Sequence, residues 1–493
     1  MKNEPPSRLK IKWKSAALAA ILIVAATYVL TLIMPDYSGQ PCMGIFSVIP
    51  AAFLIVYICL TKRIFESLIL ASFMGFMMAG PKECLSSFTT SLQDVMMSSD
   101  IAWLILVCGL MGSIIALVDK AGGAMAFGEW VAKKAKTKNA VHFWTWILGI
   151  VIFLDDYLNA LVIGSCMAPL SDKHKSPREF LAFIVDSTAA PACVLIPIST
   201  WGVFVGGLLE INGWAPEGEG LRYFIQTIPF NFYAWVGILI VPLFIFNIIK
   251  PFGPMKKAEE RVKAGGPICP PGSEKIDMRG GKESTIVENP RIINFFLPIG
   301  CLIFFTILFD VDMAMGVYCT LAVMFVFYLG QGIMTGDEFW DTFLIGLKNM
   351  INSLILMVLA FLFAEASSRI GFTYYMIHTA EKFMTPELMP LIVFIVLSIT
   401  EFVTGTNWGM YIIALPIVIP LAMDLGVNVP LAVSAVISAG VFGSHICFYS
   451  DATVVTSAAT GCDNFAHAKT QMPYGVLAAG ITMVLYLIAG FIF

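Results

Sequence analysis

Fourteen apolar runs divide the chain, at 16–34, 44–61, 64–80, 101–118, 141–170, 180–206, 230–249, 292–309, 313–332, 343–366, 389–403, 408–423, 429–447 and 473–493. A helix needs about 20 predominantly apolar residues to cross a hydrocarbon core, where an open backbone finds no water to bond. Some runs are shorter than that. The pattern therefore predicts an all-α polytopic membrane protein with roughly 12 spans, plus broken helices and re-entrant hairpins. Composition agrees: 58% of the 493 residues are hydrophobic and 13% charged, where a soluble domain carries about 25% charged residues. This excludes a soluble enzyme and a disordered scaffold. A net charge of −4 leaves no footprint for nucleic acid.

Lys and Arg in short loops set the orientation. Lys2, Arg8, Lys10, Lys12 and Lys14 face only Glu4 ahead of the first run, so the N-terminus is expected in the cytoplasm. No A-x-A cleavage pattern follows, and the 16–34 run reads as a retained first span. Lys62 and Arg63 return to the inside, the stretch with Asp94 and Asp100 lies outside, and Lys133, Lys134, Lys136 and Lys138 lie inside again. The 141–170 run breaks this alternation, because Lys173, Lys175 and Arg178 beyond it should also be inside. A run of about 30 residues is too short to cross twice. A hairpin of two half-length helices is expected, with its tip at Asp155 and Asp156. The Gly/Pro-rich segment 250–291 reads as a cytoplasmic linker between an N-terminal half, 1–249, and a C-terminal half, 292–493.

Ionisable groups at membrane depth are costly and usually face a pathway, so the few present are informative. The first half has FLDDYLNALVIG, with Asp155, Asp156 and Asn159, and VDSTAAP, with Asp186, Ser187 and Thr188. The second has Glu401, then TGTNWG with Thr404, Gly405, Thr406 and Asn407, then SHICFYSDATVV with His445, Ser450, Asp451 and Thr453. Paired polar interruptions in two halves point to inverted-topology repeats around a central site. Asp186 and Asp451 would then be equivalent. Asp155, Asp156, Asn159, Asp186 and Asp451 are the expected ion-coupling residues, since hard oxygen ligands suit a small cation. Ser187, Thr188, Thr404, Gly405, Thr406, Asn407, Ser450 and Thr453 are the expected substrate-binding set, with Glu401 and His445 as a proton relay. Glu365 and Arg369, four apart, read as a helix ion pair. Cys462, Asp463, His467 and Lys469 read as a loop. Neither a phosphate loop nor an H-E-x-x-H motif occurs. A secondary transporter is expected, not an enzyme, with no cofactor and no metal beyond transported sodium.

The blocks at 150–207 and 401–475, with DD-x-x-N, DSTAAP, TGT-x-WG and SD-x-T, resemble the NhaC family of sodium/proton antiporters. The resemblance implies a multi-pass carrier of the prokaryotic plasma membrane, working by alternating access, with sodium and protons as coupling ions. Where the family reads F-G-D-H this chain has Phe442-Gly443-Ser444-His445, and Cys447-Phe448-Tyr449 replaces a Ser-Pro stretch. A lost carboxylate and gained aromatics favour an alternative, a sodium- or proton-coupled transporter of a small amino acid or organic acid. A homodimer is compatible with either.

Overall fold

The computed structural model describes residues 25–493 apart from 26, 36, 38–39, 62, 154, 272, 274–289 and 310–311. The basic N-terminus, the start of the 16–34 run and the far part of the linker lie outside the described residues. Among those described, regular structure is helical and no strand occurs. The first half carries α1 (Ile49–Thr61), α2 (Ile64–Ala79), α3 (Cys84–Met97), α4 (Ser99–Lys120), α5 (Gly123–Lys134), α6 (Lys138–Val151), α7 (Asp156–Lys173), α8 (Arg178–Asp186), α9 (Ala190–Leu195), α10 (Thr200–Ile211), α11 (Gly220–Thr227) and α12 (Phe232–Ile245). The linker contributes α13 (Gly253–Lys263). The second half has α14 (Ile293–Leu308), α15 (Met313–Gly330), α16 (Gly336–Arg369), α17 (Phe372–Glu381), α18 (Met389–Thr404), α19 (Asn407–Leu425), α20 (Val429–Ile446), α21 (Asp451–Thr460) and α22 (Asn464–Ile492).

The protein is an all-α, multi-pass membrane protein. Six described helices are long and apolar enough to cross a bilayer, or up to eight if each bent pair is one span. The α8–α9 segment meets α10 at 45°, and α11 with its short extension meets α12 at 53°. Four further apolar helices are shorter, and the expectation of roughly 12 spans counts runs of this kind.

The 141–170 run is broken, as its charges required. Helix α6 ends at Val151, and Asp155, in an extended conformation, caps α7 by accepting from Leu158 N at 3.0 Å. Asn159 donates back to the Gly149 and Ile152 carbonyls, at 2.6 and 2.8 Å. A straight helix would hold residues ten apart at about 15 Å, so the chain reverses here. The half-length expectation is corrected: α6 and α7 have 14 and 18 residues. Helix α7 continues to Lys173 because Pro169 lies inside it without ending it.

Helices α7 and α21 lie side by side and parallel. Tyr157 bonds Asp451 near their starts, and seven residues further along α7 a Cβ on Gly164 would come within 2.7 Å of the Ala459 Cβ, eight residues further along α21. Small residues at this crossing let the backbones approach closely. Two helix N-termini therefore stand together in the interior.

The linker begins as a strap. Helix α13 buries Met255, Ala258 and Val262. Its Glu259 bonds Lys138 at the start of α6 at 2.6 Å, and its Arg261 takes Glu179 at the start of α8 through two bonds of 2.8 and 2.9 Å. The bases of both broken segments are thus tied to one amphipathic helix. Glu365 and Arg369 form the expected pair on α16, at 2.8 Å and well exposed.

The reading of Cys462 to Lys469 as a loop is corrected. Asp463 caps α22 by accepting from Ala466 N at 3.1 Å, and His467 and Lys469 fall in its first turns. His467 faces the protein interior with no exposed surface, while Lys469 is exposed.

Candidate ion-binding site

Four helix N-termini meet at the centre of the molecule. Asp155 opens α7, Ser199 and Thr200 open α10, Thr406 opens α19, and Ser450 opens α21. Side chains link them. Thr200 donates to Asp155 Oδ2 at 2.9 Å, Tyr157 donates to Asp451 Oδ2 at 2.7 Å, and Trp408 Nε1 donates to the Tyr157 hydroxyl at 3.3 Å. The Trp201 and Trp408 rings lie 5.2 Å apart. Each N-terminus contributes partial positive charge and so supports nearby carboxylates.

The acids gathered here are buried. Asp155, Asp156, Glu401 and Asp451 are 1%, 4%, 0% and 3% exposed. Among the described residues no Lys or Arg forms an ion pair with any of them. A buried carboxylate without a cationic neighbour must be neutralised by a proton or by a cation from outside the chain. Several oxygens in this region are also buried without a hydrogen-bond partner: Asp156 Oδ1, Asn159 Oδ1, Glu401 Oε2, Thr406 Oγ1 and Ser444 Oγ. Such oxygens match the needs of a hard cation.

Asp186 stands one helix further along, at the end of α8 before its break, while Asp451 opens α21 after a break. The two acids flank their breaks from opposite sides, so the expectation that they hold equivalent positions is corrected. Asp186 Oδ2 accepts from Gln471 Nε2 at 2.5 Å, and Oδ1 from Thr456 at 3.4 Å. Its Oδ2 lies 3.6 Å from His467 Nε2. The Asp186 carbonyl lies 2.9 Å from His445 Nε2; a carbonyl can only accept, so that nitrogen carries the hydrogen. His445 Nδ1 lies 3.1 Å from the Tyr233 hydroxyl. Asn159 connects the two regions, since its Nδ2 also reaches the Thr188 carbonyl at 3.3 Å.

The expected substrate-binding set divides. Thr188 and Thr404 bond back into their own helices, to Ile184 and Thr400 carbonyls at 2.9 and 3.1 Å. Ser450 and Thr453 both bond the Ser444 carbonyl, at 2.8 and 3.2 Å, and so hold the α20–α21 break. Asn407 cross-links Glu401 Oε1 and the Gly440 carbonyl, at 2.9 and 2.8 Å with its amide nitrogen turned to them. Ser187 lines a small cavity with Tyr233, His445 and Gln471. Thr406 alone of this set has a buried, unpartnered hydroxyl. Gly405 ends α18 at φ +72°, where its neighbour is the Tyr449 ring: a Cβ would sit 2.8 Å from it.

The aromatics read as an organic-substrate surface serve as packing. Tyr449 donates to the Val403 carbonyl and wedges the two breaks together. Phe448 stacks on Phe465 at 5.2 Å. Gln471, Tyr157 and Trp201 are not singled out by sequence reasoning, because single polar or aromatic residues in or beside apolar runs carry no spacing signal, and His467 reads only as part of a loop.

A profile described as the Na+/H+ antiporter family matches residues 192–491. The chain belongs to the Na+/H+ antiporter family. The matched range contains Glu401, the α18–α19 and α20–α21 breaks, and Gln471. An uncharacterised protein of Haemophilus influenzae is 25% identical over 96% of this chain and 95% of its own length. The malate-2H+/Na+-lactate antiporter of Bacillus subtilis is 24% identical over 42% of this chain and 45% of its own. An uncharacterised Na+/H+ antiporter of Haemophilus influenzae is 28% identical over 22% of this chain and 24% of its own. Membership in this family makes the protein a secondary transporter, with Na+ and H+ as the ions implied.

Proposed function

We propose that the protein exchanges sodium for protons by competition at the central carboxylates. The observation that carries this is a buried group of acids without a cationic partner, beside unpartnered buried oxygens. Asp156, with Asn159, Thr406 and Glu401 oxygens nearby in the same region, is the leading sodium ligand, and Asp155, Asp186 and Asp451 complete the ion-coupling set. Sodium holds these oxygens when the acids are deprotonated, and protons displace it. Exposure of the site to each side in turn, by rocking of one bundle against another, converts this competition into exchange. Both halves contain two helix–break–helix units in the same order, α6–α7 with α8–α9 and α18–α19 with α20–α21. That order supports a repeat, which we take as inverted; the Lys and Arg of the short loops are the ground for an N-terminus in the cytoplasm of a prokaryotic plasma membrane.

A second reading rests on Trp201. Its Nε1 is a buried donor that makes no hydrogen bond of ordinary geometry and faces the Asp156 carboxyl, and no cation can use it. With Trp408 and Phe204 adjacent, at ring distances of 5.2 and 4.4 Å from Trp408, it suits an organic carboxylate carried with the cation.

Competition has a direct signature in binding. Sodium at 100 times its dissociation constant should stabilise the purified protein by about 2.7 kcal/mol. The apparent dissociation constant should rise as pH falls, by about tenfold per unit where one proton competes with one ion. Thermal melting over a sodium titration at several pH values measures both. A sodium-independent melting temperature, or a sodium affinity indifferent to pH, contradicts the proposal.

A further inference from the structure

Asp186 takes its side-chain hydrogen bonds from α21 and α22. Its Oδ2 takes the Gln471 amide at 2.5 Å, and the same nitrogen donates to the His445 carbonyl at 2.8 Å. With Nε2 donating twice, Oε1 is the accepting end, and His467 Nε2 lies 3.0 Å from it. His467 is anchored in turn by Ser457, 3.0 Å from its Nδ1. One amide therefore joins three elements: α22, which carries it, α8, which ends in Asp186, and α20, which ends just before the second break. Gln471 is 1% exposed and Asp186 0%. Ring and amide leave the carboxylate little rotational freedom.

We propose that Gln471 is the positioning residue for Asp186, fixing the orientation in which that carboxylate receives the cation. The inference rests on the reading of Asp186 as part of the sodium site. Partners that orient a cation's ligands commonly matter as much as 10–100-fold in affinity. Gln471 qualifies because its two donated bonds reach the carboxylate and the adjacent backbone break together. A change in the break is thereby transmitted to the acid. The same side chain borders the small cavity beside Ser187, so it faces the space next to Asp186 as well as the acid itself.

The test uses the full-length protein in proteoliposomes. Gln471→Met keeps the length of the side chain and removes both donated bonds. The sodium concentration for half-maximal transport should rise about 10–100-fold, with the maximal rate within about twofold of wild type. Melting without sodium should drop, because two buried acceptors lose their donor, and stabilisation by sodium should in addition need correspondingly more of it. Gln471→Asn keeps the amide but withdraws it by one methylene, so it should fall between the two; it serves alone if the Met variant does not insert. A wild-type sodium dependence in either folded variant overturns the inference, as does a loss confined to the maximal rate. Asp186→Asn separates the two levels. If it also leaves sodium dependence intact, the sodium-site reading fails; if it abolishes that dependence while the Gln471 variants are normal, only the positioning role fails.

Discussion

Asp156→Asn is expected to insert and fold normally yet to bind sodium at least about 100-fold more weakly. A unit charge at 4 Å from a cation is worth about 4 kcal/mol at an effective dielectric of 20, and each 1.4 kcal/mol is about tenfold in affinity. The amide retains one oxygen and the shape of the side chain. Asp156 Oδ1 has no hydrogen-bond partner of ordinary geometry, and the Asn oxygen can still face Trp201 Nε1, the donor beside this carboxyl. The remaining sodium binding should also lose most of its pH dependence, because no proton competes at that position. Asp186→Asn should behave in the same way if the two acids share the ion, whereas Glu217→Gln, at an exposed residue, should be silent. Sodium-dependent melting and transport across pH, measured on all three variants, decide the matter. Normal sodium coupling in both Asp156→Asn and Asp186→Asn would move the site to Asp451 and Glu401.

Asn159→Ala should have the opposite character, a loss of structure before any loss of chemistry. Its amide nitrogen serves the Gly149, Ile152 and Thr188 carbonyls. Each of these lies at a helix end or break, where the backbone lacks its own helical partner. A buried acceptor left unpaired costs about 1–3 kcal/mol, so a loss of about 3 kcal/mol or more is expected for the three together. A Cβ at Gly149 would come within 2.6 Å of the Thr188 Cβ, which shows how closely the two broken segments approach where Asn159 ties them. The variant should melt lower with and without sodium and should become a protease substrate near residues 152–155. An Asn159→Ala protein that keeps its melting temperature but loses sodium binding would make Asn159 a ligand alone, with no structural duty.

Much of the architecture could be read from the sequence, and the reasons are physical. Apolar run length marks helices because lipid forbids an open backbone. The break at Asp155 was legible because basic loops on both sides of 141–170 left too few residues to cross twice. The intramembrane acids stood out because charge is rare in such surroundings. What hydropathy could not show is the direction a polar face points. Cys462, Asp463, His467 and Lys469 read as a loop, yet His467 turns inward with Gln471 to Asp186. Nor could it show which polar groups also hold the backbone: Asn159, Asn407, Ser450 and Thr453 each bond a backbone carbonyl beside a break or on a neighbouring helix. Phe448 and Tyr449 looked like contacts for an organic molecule, but the neighbours that bury them come from distant parts of the chain.

The central claim, exchange of sodium for protons at one shared site, is tested most directly in sealed proteoliposomes carrying an internal pH indicator. A sodium gradient imposed from outside should drive protons out and raise the internal pH, with no organic acid present. Reversing the gradient should reverse the change, and the Asp156→Asn protein should give neither. If the internal pH responds to sodium only once a small organic acid or an amino acid is added, simple ion exchange is contradicted and the organic-substrate reading takes its place.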